Sequence, residues 1–283
     1  MGTMRSSIPV ALACLMATLG ACSPSTPEET ELDQATRSDE PAKDLREESS
    51  RAIAAALEHN DRIESDIEED LWRQPQTVLE FMGIEPGMRV LDYFAAAGYF
   101  SEIMARTVGP AGSVLVYNNP AYASFAGEAL IKRFAADRVP NAKILTASTD
   151  ELRLAPGGLD AVLFFLAYHD LYWTPEDAKA PMGVPAKVTV QLFDALEPGG
   201  VVLVVDHAAN PGDSEAQVAG KLHRIDPESV RRDFTAAGFV LEEESAAFRN
   251  PLDDHTRLVT DPALRHNTDR FMFRFRKPLQ KIQ

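Results

Sequence analysis

The sequence predicts an α/β protein with a doubly wound, mostly parallel sheet of seven strands, the last of them antiparallel. Five buried strands alternate with helices between residues 84 and 238 of the 283-residue chain, and this alternation is typical of a parallel sheet with helices on both faces. The fourth strand lies in the run LDAVLFFLAYHD, residues 159–170, which is apolar on both faces, as expected for a strand covered on both sides. The last two strands have no helix between them, which indicates an antiparallel final strand.

Two helical segments precede the sheet. Apolar residues recur at helical spacing over residues 51–57 and 61–81, and Pro75 indicates a break within the second segment. We therefore expect a domain over residues 51–283, with its N-terminal helices in residues 51–83.

The other elements follow from turn residues and apolar runs. Besides the fourth strand, the predicted strands are Arg89–Tyr93, Ser113–Tyr117, Ala142–Leu145, Val201–Asp206, Phe239–Glu243 and Phe271–Phe275. The predicted helices are Gly98–Val108, Ala121–Ala136, one that starts at Thr174, Ala186–Leu196, and one that is capped by Asp226 and ends at Gly238.

The first 22 residues have the order of a targeting segment. Arg5 precedes an apolar run over residues 8–19, and small residues follow; the run is shorter than the roughly 20 apolar residues that span a bilayer. Leu19-Gly20-Ala21-Cys22 resembles the lipobox of bacterial lipoproteins. The resemblance implies a signal peptide over residues 1–21 and a protein anchored in the bacterial cell envelope through a lipidated Cys22, facing the periplasm. An apolar helix with an incidental cysteine, in a cytoplasmic protein, is the alternative.

Residues 22–50 are expected to form an acidic, disordered tether, because they contain almost no large apolar side chain. Between Ser23 and Asp70 the chain has 16 acidic and 5 basic residues, so most of the formal net charge of −15 lies there. An acidic chain without a basic patch makes nucleic acid an unsuitable partner. The two cysteines, Cys14 and Cys22, exclude a cysteine zinc site in the processed protein.

Three stretches indicate a family. They are GMRVLDYFAAAG at the first strand, GPAGSVLVYNNP at the second, and LFDALEPGGVVLVVD at the fifth. Together they resemble the class I S-adenosylmethionine-dependent methyltransferases, and YHDLYW and TDRFMFRFRKP resemble a bacterial subgroup of them. The resemblance implies a Rossmann-like fold, S-adenosylmethionine as cofactor, and methyl transfer to a small-molecule or lipid-like acceptor. Nothing in the sequence names that acceptor or indicates the oligomeric state.

The resemblance also implies cofactor-binding positions in the loop after the first strand. Asp92 and Gly98 match the family pattern, whereas Phe94 and Ala96 stand where the family has glycines. Glycines let the backbone approach the ligand closely. The Phe94 ring must therefore point either into the core or into the place of the cofactor.

Further cofactor contacts are expected after the second and third strands. Asn118 stands where the family usually has an acid that accepts hydrogen bonds from the ribose, and an amide oxygen is a weaker acceptor than a carboxylate. Thr149 and Asp150 stand where the family often contacts adenine.

Candidate catalytic residues follow the fourth and fifth strands. Tyr168, His169 and Asp170 end the fourth strand, His207 ends the fifth, and His223 lies on the way to the next helix. His169 is the expected general base, with Asp170 orienting it or the acceptor. In the alternative interpretation, Tyr168 belongs to the core and Asp170 caps a turn.

A metal site is not expected, because no local ligand spacing supports one, although the histidines at 169, 207 and 223 would suit zinc. Residues 253–270 form either a wall of the acceptor site or a solvated loop tied down by ion pairs. Trp72 and Arg73 either close over the cofactor or pack a helix onto the sheet.

Two rival functions remain. One is a non-catalytic envelope protein with a degenerate cofactor loop. The other is a nicotinamide-dependent dehydrogenase, but the glycine fingerprint of such enzymes is absent from this sequence.

Overall fold

The structure is a computed structural model that describes residues 40–176 and 180–279. The predicted signal peptide, Cys22 and most of the predicted tether lie outside these residues. Among the described residues, no helix combines the length and the apolar character needed to cross a membrane.

Within residues 40–88, three helices precede the sheet: α1 (Glu40–Leu57), α2 (Glu64–Arg73) and α3 (Pro75–Met82). The predicted break falls at Gln74, which has a left-handed backbone between α2 and α3. The prediction that residues 22–50 form a tether is wrong for residues 40–50, which belong to α1. Tertiary packing explains the difference, because Ser49 is buried on the same helix as Ile53 and the Ser50 hydroxyl donates to Glu80 of α3 at 2.6 Å.

The seven strands form one sheet. They are β1 (Arg89–Tyr93), β2 (Ser113–Asn118), β3 (Ala142–Thr146), β4 (Leu159–Phe165), β5 (Leu196–His207), β6 (Val240–Ser245) and β7 (Arg270–Arg276). Their order is β3-β2-β1-β4-β5-β7-β6, and β7 pairs antiparallel with both β5 and β6. The predicted fold class, including the antiparallel last strand, is confirmed.

In the part of the chain that the structure describes, five more helices follow the start of the sheet: α4 (Tyr99–Val108), α5 (Pro120–Arg133), α6 (Pro185–Ala195), α7 (Glu215–Leu222) and α8 (Pro227–Ala236). Asp226 caps α8 as predicted, since its side chain accepts from the Glu228 amide. The sequence did not predict α7. The helix expected to start at Thr174 is absent from residues 174–176.

The core has two layers, one on each face of the sheet. Successive residues of β1 point to opposite layers: Val90 lies in one and Leu91 in the other. The same alternation separates Leu163 from Phe164 on β4. Because both faces of these strands are buried, the side chains free to face a ligand are those at the strand ends.

Candidate functional site

The first strand ends in a buried carboxylate. Asp92 is 3% exposed, and its Oδ2 accepts a hydrogen bond from the Ser101 hydroxyl at 2.5 Å. Burial raises the pKa of Asp92 to about 6, against the opposing effects of the Ser101 hydrogen bond and the charge of Arg73. In the sheet order, Asp92 lies where the strands run outward from β1 to β2 on one side and to β4 on the other. Ligands of open α/β sheets bind at this edge.

Phe94 points into an aromatic cluster. It has a φ of 59° and is 3% exposed, and its ring stacks on Tyr122 with centroids 4.6 Å apart and planes 14° apart. Tyr93 and Tyr117 lie against the same ring, at 4.8 and 5.8 Å. The Phe94 ring therefore belongs to the core, and it is buried at the carboxyl end of β1, where ligands of open α/β sheets bind, so the two alternatives that the sequence offered do not exclude each other.

The loop after β1 is bound to the end of β2 by the Asn118 side chain. Its Oδ1 accepts from the Ala96 amide and its Nδ2 donates to the Ala96 carbonyl, each at 2.9 Å. The Ala95 amide donates to the Tyr117 carbonyl at 3.0 Å. In this conformation the Asn118 amide is engaged by the loop and does not present the free acceptor that the sequence predicted for the ribose.

Gly98 is required by its surroundings as well as by its backbone. Its φ is 82°, and a Cβ there would lie 2.8 Å from the Phe134 ring. The Ala97 carbonyl accepts from Arg133 Nε at 2.6 Å. The end of α5 therefore packs directly against this loop.

Tyr122 crosses the sheet edge above β1. It lies in the first turn of α5, just after β2, and its hydroxyl donates to Asp170, which follows β4. Because β1 lies between β2 and β4, the Tyr122 side chain spans the carboxyl end of β1. The stacked rings of Phe94 and Tyr122 thus fill this part of the crevice.

Thr149 and Asp150 lie after β3 beside a cavity of about 250 Å³. Lys187 and Gln191 of α6 line its other side. The Thr149 hydroxyl donates to the Met182 carbonyl at 3.1 Å, and the exposed Asp150 carboxylate lies 3.3 Å from Lys187 Nζ. A larger cavity of about 820 Å³ lies at the opposite edge of the sheet, near the starts of β1 and β4.

The fourth strand ends at Phe165, so the prediction that Tyr168, His169 and Asp170 end a strand is wrong. Leu166 has a φ of 56°, which interrupts the strand. A 3₁₀ helix, His169–Tyr172, follows. The His169 amide donates to Asp206 Oδ2 at 2.9 Å, and this hydrogen bond to the end of β5 holds the turn.

His169 is the centre of a buried polar cluster. Its Nδ1 lies 2.8 Å from Asp206 Oδ1, so the ring nitrogen donates to that carboxylate. Burial alone would lower the pKa of His169, but the charges of Asp206 and Asp170 raise it to about 9. An imidazole with this pKa is protonated at neutral pH, which does not suit the general base that the sequence predicted.

Asp170 and His223 complete the cluster. Asp170 Oδ1 lies 3.4 Å from His169 Nε2 and 3.7 Å from His223 Nδ1, and the two ring nitrogens are 3.3 Å apart. Asp170 Oδ2 accepts from Tyr122, whereas Oδ1 is buried without a hydrogen-bond partner among the described residues. The Asp170 side chain is thus part of the cluster and does not cap a turn.

Two predicted catalytic residues lie outside this cluster. Tyr168 is fully buried and its hydroxyl donates to Asp233 Oδ2 at 2.9 Å, so the alternative that it belongs to the core is confirmed. His207 Nδ1 lies 2.7 Å from the Thr268 hydroxyl oxygen, and its ring centroid is 6.3 Å from that of His169. Burial and the positive charge of His169 hold the pKa of His207 well below its ordinary value.

Residues 253–269 form a loop with ion pairs, one of the two alternatives that the sequence offered for residues 253–270, and Arg270 begins β7. Asp253 binds the buried Arg224 at 2.9 Å, and Asp269 binds Arg249 at 2.8 Å and His255 at 3.0 Å. These pairs tie the segment to the turn between α7 and α8, through Arg224, and to the loop after β6, through Arg249.

Trp72 and Arg73 pack α2 onto the sheet edge. The Trp72 carbonyl accepts from Arg270 of β7 at 3.2 Å, and the Arg73 guanidinium lies 4.6 Å from the Tyr99 ring centroid. Arg73 is also close enough to Asp92 to lower the pKa of that carboxyl.

The sequence did not identify Tyr122 as a residue of the candidate site, because a tyrosine early in a helix has no local signal that it reaches across a strand.

Comparison with known proteins gives matches among solved structures. No family model and no curated protein matches the chain. An S-adenosylmethionine-dependent methyltransferase from Aquifex aeolicus is 14% identical with a TM-score of 0.51, covering 77% of this chain and 100% of that one. An arsenic(III) S-adenosylmethionine methyltransferase from Chlamydomonas reinhardtii is 18% identical with a TM-score of 0.50, covering 82% and 75%.

A third similar structure has a different activity in its name. The [4+2]-cyclase SpnF is 15% identical with a TM-score of 0.52, covering 82% of this chain and 93% of that one. Likeness at such identities establishes architecture, and one architecture hosts several functions. The chain therefore has the Rossmann-like fold of the class I S-adenosylmethionine-dependent methyltransferases.

Proposed function

We propose that the protein is an S-adenosylmethionine-dependent methyltransferase that acts on a small-molecule or lipid-like acceptor. The observation that carries this proposal is the buried carboxylate of Asp92, whose pKa is raised to about 6. It lies near the end of β1, where the strand order runs outward to β2 on one side and to β4 on the other. Burying a carboxylate costs free energy, and groups retained at such a cost concentrate at functional sites. The fold supports the same assignment.

The residues around Asp92 suit the amino acid part of the cofactor. The Asp92 carboxylate is a partner for its ammonium group, and Arg73, whose side chain is 22% exposed, is a partner for its carboxylate. The cavity beside Thr149 and Asp150 is a place for the base. The bound cofactor supplies an electrophilic methyl group on a sulfonium centre. The contribution of the chain is to hold the acceptor in line with that group.

The aromatic pair of Phe94 and Tyr122 opposes binding. Its rings fill the crevice above β1, and Asn118 holds the loop closed through Ala96. We therefore expect the wild-type chain to bind the cofactor weakly. Phe94→Gly should raise the affinity, because it removes one ring and glycine readily adopts the φ of 59° found there.

Calorimetric titration of the full chain with S-adenosylmethionine and S-adenosylhomocysteine tests the proposal. Wild-type binding that is weaker than micromolar and that Phe94→Gly tightens to the micromolar range, about −8 kcal/mol, would support it. Phe239→Ala is the matched control, since Phe239 is equally buried but lies at the far end of the sheet. Binding that is absent from both the wild type and Phe94→Gly at millimolar ligand would contradict it.

The second candidate function is a non-catalytic envelope protein that retains the fold. The specific observation in its favour is the loop closed by Asn118 and the crevice filled by Phe94 and Tyr122. It predicts that opening the loop does not restore binding, which is the outcome that contradicts the first proposal.

We also propose that Cys22 anchors the protein in the bacterial cell envelope. The order of Arg5, an apolar run and small residues before Cys22 supports this location. Labelling of growing cells with a radioactive fatty acid should mark the wild type but not Cys22→Ser. Equal labelling of both would contradict the anchor, and the cytoplasmic alternative would take its place.

A further inference from the structure

We propose that His169 Nε2, Asp170 Oδ1 and His223 Nδ1 bind a divalent metal ion, with zinc the first ion to test. The sequence allowed a different set, in which His207 was the third ligand. In the structure Asp170 takes that place. This inference goes beyond methyl transfer and does not depend on it, because it concerns metal binding alone.

The spacing of the three atoms fits one ion. They lie 3.3, 3.4 and 3.7 Å from one another. Tetrahedral ligands about 2.1 Å from zinc are roughly 3.4 Å apart. A set of two imidazoles and one carboxylate is also the usual donor set of open zinc and iron(II) sites. A single ion can therefore reach all three atoms with little movement.

One buried oxygen of Asp170 makes no hydrogen bond to any residue that the structure describes and faces the two histidine ring nitrogens. Asp170 is 5% exposed, and its Oδ1 has no hydrogen-bond partner among the described residues. A buried carboxylate oxygen without a partner is costly and rare in native proteins. The other oxygen, Oδ2, is held by the Tyr122 hydroxyl, which fixes the carboxylate with Oδ1 towards the two histidines. A bound cation would supply the missing partner.

A second carboxylate orients the first ligand. Asp206 is fully buried and binds both Nδ1 and the backbone amide of His169, at 2.8 and 2.9 Å. When Nδ1 donates to a carboxylate, a metal ion binds at Nε2 in place of the proton there, which is released to solvent. This carboxylate–histidine–metal arrangement is the common support of protein zinc sites. Asp206 is therefore a positioning residue in this proposal.

His223 leaves one side of the site accessible. Its side chain is 33% exposed, in contrast to 3% for His169 and 7% for Asp170. It caps the end of α7 with a φ of 53°, a left-handed backbone that is uncommon outside glycine and asparagine and that often marks functional positions. Three protein ligands and an accessible side leave a position for water or a ligand oxygen, which is typical of catalytic rather than structural zinc.

Calorimetric titration of the full chain with zinc chloride tests this site. The chain carries no histidine tag and is first freed of metal with a chelator. We expect one ion per chain, with at least a 100-fold loss of affinity in His223→Asn, because asparagine tolerates the left-handed backbone but lacks the imidazole. His266→Ala is the control, since His266 is exposed and lies outside the cluster. It should bind as the wild type does.

Two more measurements separate the ligands from their support. Cobalt(II) in place of zinc should give visible absorption typical of tetrahedral coordination, and Asp206→Asn should weaken binding by 10- to 100-fold while that spectrum keeps its shape. His207→Ala should still bind one ion. Absence of binding by the wild type at 100 µM zinc, or equal binding by the wild type and His223→Asn, would overturn the proposal.

Discussion

Replacing Asp92 by asparagine should stabilise the protein at neutral pH. Burial raises the pKa of this carboxyl from 3.8 to about 6. The native state therefore binds a proton more tightly than the unfolded state does, and ionisation of Asp92 destabilises the fold as pH rises from about 4 to 6. Two pKa units correspond to about 3 kcal/mol. Asparagine carries no charge and can still accept the Ser101 hydrogen bond.

The assay is urea denaturation of the wild type and Asp92→Asn at pH 4, 5, 6 and 7. The variant should be more stable by up to about 3 kcal/mol at pH 7, and the difference should vanish near pH 4. Titrations shared by both proteins cancel in this comparison. A variant that is less stable than the wild type at pH 7, or a difference that does not change with pH, would refute the reasoning.

Asp160 offers a control with the opposite sign. Its carboxylate binds Arg89 at 2.8 Å, and that contact lowers the pKa of Asp160. A lowered pKa contributes stability above the unfolded value that is lost as pH falls. Asp160→Asn should therefore destabilise the protein at pH 7.

If the proposed function holds, Asp92→Asn should also lose cofactor binding. Stability and cofactor affinity would then change in opposite directions in this variant.

Two further predictions concern the support of the loop after β1. Arg133 is 5% exposed and binds Glu102 at 2.9 Å as well as Asp66, so Arg133→Ala should lower the free energy of unfolding in urea by about 3–5 kcal/mol. Lys132 is its exposed neighbour, and Lys132→Ala should change that free energy by less than about 1 kcal/mol. Equal effects of the two substitutions would contradict the buried ion-pair network. Gly98→Ala should lower the melting temperature clearly more than Gly127→Ala, because both have positive φ but only at Gly98 would the Cβ meet another side chain.

Most of the fold follows from the sequence because its signals are local. The bounds of β1, Arg89–Tyr93, are the ones predicted from the sequence. Asp226 caps α8 by accepting a hydrogen bond from the amide of Glu228, only two residues further along the chain. The exceptions have long-range causes. Residues 40–50 belong to a helix that is anchored by the buried Ser49 and Ile53, and Ser50 binds Glu80, 30 residues away. The fourth strand ends before Leu166, whose φ is 56°, and Asp206 holds the turn that follows through the His169 amide, 37 residues away.

The candidate site divides in the same way. The sequence places Asp92, His169 and His223 near one sheet edge, because the carboxyl ends of parallel strands meet there. It does not indicate where their side chains point. The Tyr168 hydroxyl is directed away from the His169 cluster by its hydrogen bond to Asp233, 65 residues away. The loop after β1 is closed by the hydrogen bonds between Ala96 and Asn118, which are 22 residues apart.

The sequence by itself determined the α/β class and the antiparallel last strand, because hydrophobic periodicity and turn residues act over a few neighbours. Tertiary structure alone decided that Phe94 stacks on Tyr122, and that Asp170 rather than His207 joins His169 and His223. Side-chain direction depends on partners that are distant in the chain. A one-dimensional pattern does not encode which of them will meet.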